Sequence, residues 1–294
     1  MNTFLYTFDE ERVRKWNEFL KGIMEEKRSI EKELMSDKLT RKVIEFAKSK
    51  GADLVSIVSA DRATELAKEY LLWVPPHHYL EDAKAVVILA LRNVDTVLMR
   101  PGILVSRQNI MMNILLNEIS YWVGRYLQDL GYDAIPMYEI FSSEAVSSAP
   151  ITHHTEVQEE TKIPIKVLAQ EAGMGSIGIS ALLITPEYGP RVRLGAVITN
   201  APLKSGRPLS ENLCLVARRI LGCNRCIEAC EVHAIKPDGY VDFEACWMFN
   251  KVFKKRHGYS GCNTCQYVCP VGYYTNKLKE IPKLPKWLHK PRKR

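Results

Sequence analysis

All eight cysteines of this 294-residue chain fall between Cys214 and Cys269. Six of them form two spaced sets, Cys223-x2-Cys226-x3-Cys230 and Cys262-x2-Cys265-x3-Cys269, with Pro270 directly after the last. A closely wound backbone with thiols at this spacing encloses an iron–sulfur cluster, and in two-cluster runs the cysteine ahead of the proline ligates the other cluster. The total of eight cysteines allows two [4Fe–4S] clusters with none left over. A full run would place another cysteine three residues before Cys223, where the chain has Ile220, so Cys214 is the upstream candidate. The expected sets are Cys214, Cys223, Cys226 and Cys269 for one cluster, and Cys230, Cys246, Cys262 and Cys265 for the other. Cys214 has an alternative as a buried apolar thiol, which would leave a three-iron species or a cubane with an open iron.

Zinc sites also use paired C-x2-C units, but the x3 spacing, the Cys-Pro ending and the count favour iron and sulfide. A disulfide framework belongs to small secreted chains. No charged leader, apolar run and small-residue cleavage site opens the sequence, and no twin-arginine signal is visible. The expectation is a cytoplasmic, oxygen-sensitive protein suited to anaerobic conditions. Apolar runs such as Ala85–Leu91 are too short to span a bilayer and read as buried strands. The net charge of +7 sits in one place: from Lys277 to Arg294 there are eight basic residues and one acid, Glu280. Pro282, Pro285 and Pro291 favour an extended tail there. Trp287 and His289 among its cations would suit nucleic acid, while a solvated terminus or a surface strap is the plainer reading.

Helical periodicity marks the first fifty residues, with Trp16, Phe19, Leu20 and Ile23 on one face and a second helix from Leu39 to Lys50 halted at Gly51. A strand follows over 53–58, a short helix over 62–70, a strand over 86–91 and a long helix over 106–130 capped by Gly131. This alternation predicts an α/β core with helices covering a sheet. Residues 138–162 are polar and loop-like, a kind of segment that is often functional. A helix over 165–171 then precedes Gly173-Met-Gly-Ser-Ile-Gly178. That G-x-G-x-x-G lacks the strand before and helix after that a dinucleotide loop needs, so its glycines are read as allowing close approach to a large flat ligand. Strands over 182–185 and 191–199 are expected to form a hairpin about Pro186–Pro190. The division is a helical segment at 1–50, the core at 51–205, the cysteine module at 206–276 and the basic tail at 277–294.

Ala172-Gly-Met-Gly-Ser-Ile-Gly178, Leu182-Leu-Ile-Thr-Pro-Glu-Tyr-Gly-Pro-Arg-Val-Arg-Leu-Gly195, Thr199-Asn-Ala-Pro-Leu203 and the double cysteine motif resemble the corrinoid-dependent iron–sulfur reductases. That superfamily comprises the reductive dehalogenases and the epoxyqueuosine reductases. The resemblance runs from about Ile163 to Gly272, is weaker from Gly51 to Leu91, and does not extend to the first forty residues or the tail. It implies an α/β (α+β) nitroreductase-like core with a C-terminal ferredoxin-like module of two [4Fe–4S] clusters, and a base-off cobalamin between them. Gly173, Gly175, Ser176 and Gly178 would contact the corrin, with Arg191 and Arg193 neutralising its polar groups or supporting the fold. The proton donor would be Tyr138, Glu159 or Glu160, tuned by burial. His153 and His154 show no partners for a metal role. Asn200, Ile220 and Glu231 depart from the family pattern.

The leading reading is a reductive dehalogenase-like oxidoreductase: a low-potential donor, ferredoxin or flavodoxin, feeds the clusters, and a reduced corrinoid cleaves a carbon–halogen or carbon–oxygen bond in a small molecule. An epoxyqueuosine reductase-like enzyme acting on modified tRNA is the alternative. A ferredoxin-type electron carrier or corrinoid-activating protein is the rival from another class.

Overall fold

The run of aliphatic residues at Ala85–Arg92 becomes the central strand of the molecule. In the computed structural model, which describes residues 9–69, 74–98, 103–137, 164–257 and 262–272, four strands form one sheet. These are β1 (Leu54–Ser59), β2 (Ala85–Arg92), β3 (Ala134–Met137) and β6 (Val192–Thr199), in the order β1-β2-β6-β3 with every neighbour antiparallel. Alternate side chains of β2 serve opposite faces. Val87, Leu89 and Leu91 join one apolar layer, while Val86, Ile88 and Ala90 join the other.

Helices cover both faces. On the first lie α1 (Glu10–Ser36), α2 (Lys38–Ser49) and α6 (Ile103–Asp129), whose Met112, Leu116, Ile119, Val123 and Leu127 pack on the sheet. On the second lie α3 (Ala60–Glu69) and α7 (Ile165–Glu171), through Ala63, Leu66, Leu168 and Ala169. Two short helices, α4 (Pro76–Tyr79) and α5 (Asp95–Leu98), flank β2. The expected helix over 106–130 is therefore α6, and it ends at Gly131 in the left-handed region, φ 87°.

The expected hairpin is not formed. Leu183–Ile184 is a two-residue strand, β5, that pairs with β4 (Ser176–Ile177) of the glycine-rich segment. Strand β6 instead enters the main sheet between β2 and β3. The turn between them closes on itself, with Thr185 and Gly189 bridged through their backbones. Pattern alone could not choose among these edges, because both strands carry apolar residues on both faces.

Helix α1, 27 residues long, serves two cores. Its carboxyl half places Ile30 and Leu34 against the sheet. Its amino half places Val13, Trp16 and Ile23 against α8 (Leu213–Leu221), Ile184 and Val271. A capping carboxylate starts the helix: Asp9 accepts hydrogen bonds from the amides of Glu11 and Arg12 at 2.9 and 3.2 Å, satisfying donors that the first turn leaves open.

Candidate metal centre

The cysteine module contains one structural phrase twice. Cys223-Asn-Arg-Cys226 leads into α9 (Arg225–Ala229), and Cys262-Asn-Thr-Cys265 leads into α11 (Thr264–Val268). Each short helix closes on the next cysteine of its motif, with matching backbone: Cys230 at φ −72°, ψ 109° and Cys269 at φ −67°, ψ 125°. Their amino-terminal asparagines match as well, Asn224 at φ −131°, ψ 18° and Asn263 at φ −140°, ψ 26°. Three residues after each closing cysteine the chain turns left-handed, at His233 (φ 49°) in the first copy and Gly272 (φ 81°) in the second. Helices α9 and α11 pack on each other.

That packing crosses the motifs. Cys269 is close enough to Cys223 and Cys214 to feel their charge, and Cys226 is coupled to Cys214 and Cys223. Cys246, carried on α10 (Phe243–His257), is coupled to Cys262 and Cys230, and Cys265 to Cys262, Cys246, Cys226 and Cys230. The thiols thus gather as Cys214, Cys223, Cys226, Cys269 and as Cys230, Cys246, Cys262, Cys265. Cys226 and Cys265 mark where the sets adjoin. All eight are free thiols. Burial, reinforced by the neighbouring thiols, pushes Cys226 up to about 12 and Cys246 up to about 11. Burial also raises Cys214, Cys223, Cys262, Cys265 and Cys269, the last opposed by the charge of Arg191. Among the described residues no three donors converge on a single metal ion.

Donors already point at the sulfurs. The amide of Ile179 donates to Cys214 Sγ at 3.4 Å, and that of Ala234 to Cys230 Sγ at 3.3 Å. Such bonds favour thiolate over thiol and are of the kind that tune cluster potentials. Cys214 is presented by the start of α8, where the Asn212 side chain accepts from the amides of Cys214 and Leu215 at 3.0 and 3.1 Å. The two four-thiol sets, with these donors, fit polynuclear clusters.

The Thr185–Arg191 turn is the dock for the second motif. Gly189, at φ 57°, and Gly272, at φ 81°, meet backbone to backbone, so a side chain at either would strike Val271 or Tyr188. Arg191 is 1% exposed. Its Nη1 donates to the carbonyls of Cys269 at 3.1 Å and Gln266 at 3.5 Å, its Nη2 to that of Val271 at 2.7 Å, and its Nε faces Asp95 at 3.6 Å. On the other side of the turn, Glu187 pairs with Lys27 of α1 at 2.7 Å, and the same Nζ donates to the Met174 carbonyl at 3.0 Å. Neither Lys27 nor Gly272 stood out as functional in the sequence. Lys27 had a legible signal, a cation on the apolar face between Ile23 and Ile30.

The remaining expected residues take other places. Gly173 and Gly175 present their bare α-carbons to the backbone of Arg207 and Ile184, and Gly178 to Ile184 and to Cys214, whose Sγ would lie 3.3 Å from an added methyl. Close chain packing, rather than room for a flat ligand, accounts for the missing side chains. Ser176 is buried and accepts the Leu213 amide at 2.9 Å, which anchors α8. Arg193 points to α6, donating to Asn113 Oδ1 at 2.6 Å. Tyr138, Glu159 and Glu160, with His153, His154 and the basic tail, lie outside the described residues. Lys166, on α7, was not anticipated: its Nζ donates to the carbonyl of Ala181 at 3.0 Å, burial lowers its pKa, and it feels the charge of Cys265.

This mixed α/β fold is shared with two kinds of enzyme. It matches an epoxyqueuosine reductase from Streptococcus thermophilus with a TM-score of 0.54 at 17% identity, over 80% of this chain and 66% of that one. It matches a reductive dehalogenase with a TM-score of 0.61 at 18% identity, over 85% of this chain but 35% of that one. In sequence the chain is similar to the epoxyqueuosine reductase of Bacillus subtilis, 24% identical over 86% of this chain and 70% of that one. Identity to the Listeria monocytogenes epoxyqueuosine reductase is 36% over 113 residues, 35% of this chain and 28% of that one. No family model matches. The resemblance carried by the motifs therefore holds: the chain has epoxyqueuosine reductase homologues, and its structural neighbours include reductive dehalogenases, as for the corrinoid-dependent iron–sulfur reductase superfamily. It spans about two thirds of the epoxyqueuosine reductase structure and about a third of the dehalogenase structure.

Proposed function

We propose that this chain is an iron–sulfur reductase of the epoxyqueuosine reductase type, acting on a modified base in tRNA. The observation that carries the reading is the crossed pair of four-thiol sets in a chain whose similar sequences are epoxyqueuosine reductases. Cys214, Cys223, Cys226 and Cys269 would hold one [4Fe–4S] cluster, and Cys230, Cys246, Cys262 and Cys265 the other. Bound clusters supply one-electron transfer at potentials set by their surroundings, drawing on a low-potential ferredoxin or flavodoxin.

The chain's own groups prepare that site. The Ile179 and Ala234 amides disperse charge on Cys214 and Cys230, and Arg191 places a buried cation behind Cys269. The core is the nitroreductase-like unit of this proposal, and the cysteine segment its ferredoxin-like module. Cobalamin enters through a structural neighbour described in terms of B12-dependent dehalogenation. The described glycines make no cradle for it, so no step is assigned to a corrin. Tyr138, Glu159 and Glu160 remain the proposed proton donors.

The ranking of the two reactions is the reverse of the leading sequence reading, which the Leu183–Leu194 stretch favoured by its resemblance to the dehalogenase branch, because the sequence relatives lie on the queuosine side. One neighbour was solved with an epoxyqueuosine-modified tRNA stem loop. Dehalogenation of a small molecule is the second reading, favoured by that stretch itself. Anaerobic reconstitution with iron, sulfide and hydroxocobalamin, followed by turnover assays, tests the proposal. Two clusters with conversion of an epoxyqueuosine-modified stem loop would support it. Conversion of halogenated phenols alone would establish the second reading, and clusters with neither turnover would leave an electron carrier.

A further inference from the structure

Helix α6 is apolar on both sides. Its inner face fills the sheet core, yet Ile103, Leu104, Ile110, Met111, Ile114, Leu115, Tyr121 and Trp122 are each between 39% and 53% exposed. They form one stripe along the helix, interrupted only by exposed Arg107 and Glu118. Eight large apolar side chains left this open along one helix face make the kind of contiguous patch that marks an interaction site on a protein surface, and a row of this length suits one partner's share of a protein–protein interface. A helix apolar all round is normally buried all round.

The order of residues in the stripe names the occupant. It is a palindrome about the point between Met112 and Asn113. When two copies cross antiparallel about a two-fold axis there, Ile103 faces Trp122, Leu104 faces Tyr121, Ile110 faces Leu115 and Met111 faces Ile114. The same operation sets Arg107 of one copy opposite Glu118 of the other, twice. Among the described residues neither charge has an ion-pair partner in its own chain. A parallel pairing would oppose Arg107 to Arg107, so the charges select the antiparallel one. We propose that α6 is the seam of a homodimer, two copies of this chain packed antiparallel through residues 103–122. The seam runs roughly 28 Å at 1.5 Å per residue, and its exposed positions recur at the alternating three- and four-residue steps of interlocking helices.

Analytical ultracentrifugation of the full, cluster-loaded chain under anaerobic conditions tests this. Wild type is expected to sediment as a dimer at micromolar concentration. Arg107→Glu and Glu118→Arg are surface changes that leave folding intact, and each opposes like charges at both ends of the seam. Each alone is expected to weaken association at least tenfold, while an equimolar mixture of the two variants forms a heterodimer, because every opposed pair is then of opposite sign. A monomeric wild type would overturn the proposal, whether another segment of the chain or a foreign partner covers the stripe. Dimers indifferent to both charge reversals, or variants that fail to rescue each other, would overturn it equally.

Discussion

Arg191 shows how one side chain can join two units. Its guanidinium is buried and spends its donors on three carbonyls of the segment that carries Cys269. Arg191→Met removes the charge and strands those acceptors, at a cost of about 3 kcal/mol given the worth of buried charge-assisted bonds. Urea unfolding of the reconstituted protein measures it, and a loss below about 1 kcal/mol would refute the clasp. Lys27, buried, and Glu187, part-buried, form the other join. Lys27→Met alone should cost about 3 to 5 kcal/mol, and Lys27→Met with Glu187→Met considerably less, since the pair's desolvation is then avoided. His233 holds a left-handed backbone that the second copy of the repeat gives to glycine. His233→Gly should therefore stabilise the protein by up to about 1 kcal/mol, seen as a raised melting temperature.

At the scale of elements, the module is positioned by the packing of α1 on α8 and by a turn-to-loop contact. The 185–191 turn and the 269–272 loop touch through two glycines that a methyl group would force apart. Gly189→Ala is expected to separate them and to lower the iron retained by the first thiol set more than by the second, because Cys269 belongs to the first. Electron paramagnetic resonance of the reduced protein distinguishes the sets, and equal loss from both would count against the dock. The repeat itself was legible as spacing, Cys-x2-Cys-x3-Cys twice. Its pairing of helix α9 with α11, and the partnership of β5 with β4 instead of β6, were not, because edge choice depends on contacts distant in sequence.

For the whole molecule, thiol burial couples folding to cluster assembly. Buried neutral thiols must lose protons to bind iron, so assembly releases acid and grows more favourable as pH rises. In the apo-chain the sign is opposite. Thiols raised above their ordinary value of 9.0, to about 11 at Cys246 and about 12 at Cys226, favour the folded state below pH 9. That stabilisation is lost as pH climbs from 9 toward those values, because the unfolded chain ionises first. Urea melts of the apo- and cluster-loaded forms at pH 7 and pH 10 should diverge, with only the apo-form weakening through the thiols. Parallel slopes would show that the thiols are not buried in solution. No helix among the described residues is long and apolar enough to cross a membrane.

The sequence by itself determined the parts that depend on near neighbours. The two cysteine runs, the helices of α1, α2 and α6, and the buried strand β2 follow from spacing and periodicity over a few turns. The glycines of 173–178 were legible as special but not in their purpose, since only the fold shows that Arg207, Ile184 and Cys214 occupy the space a side chain would take. The tertiary structure alone decided that α9 packs on α11, that Arg191 grips the second motif, and that α1 reaches from the sheet to the cysteine module. Each of these joins residues far apart in the chain, and their energies come from burial and hydrogen bonds that exist only once the elements have packed.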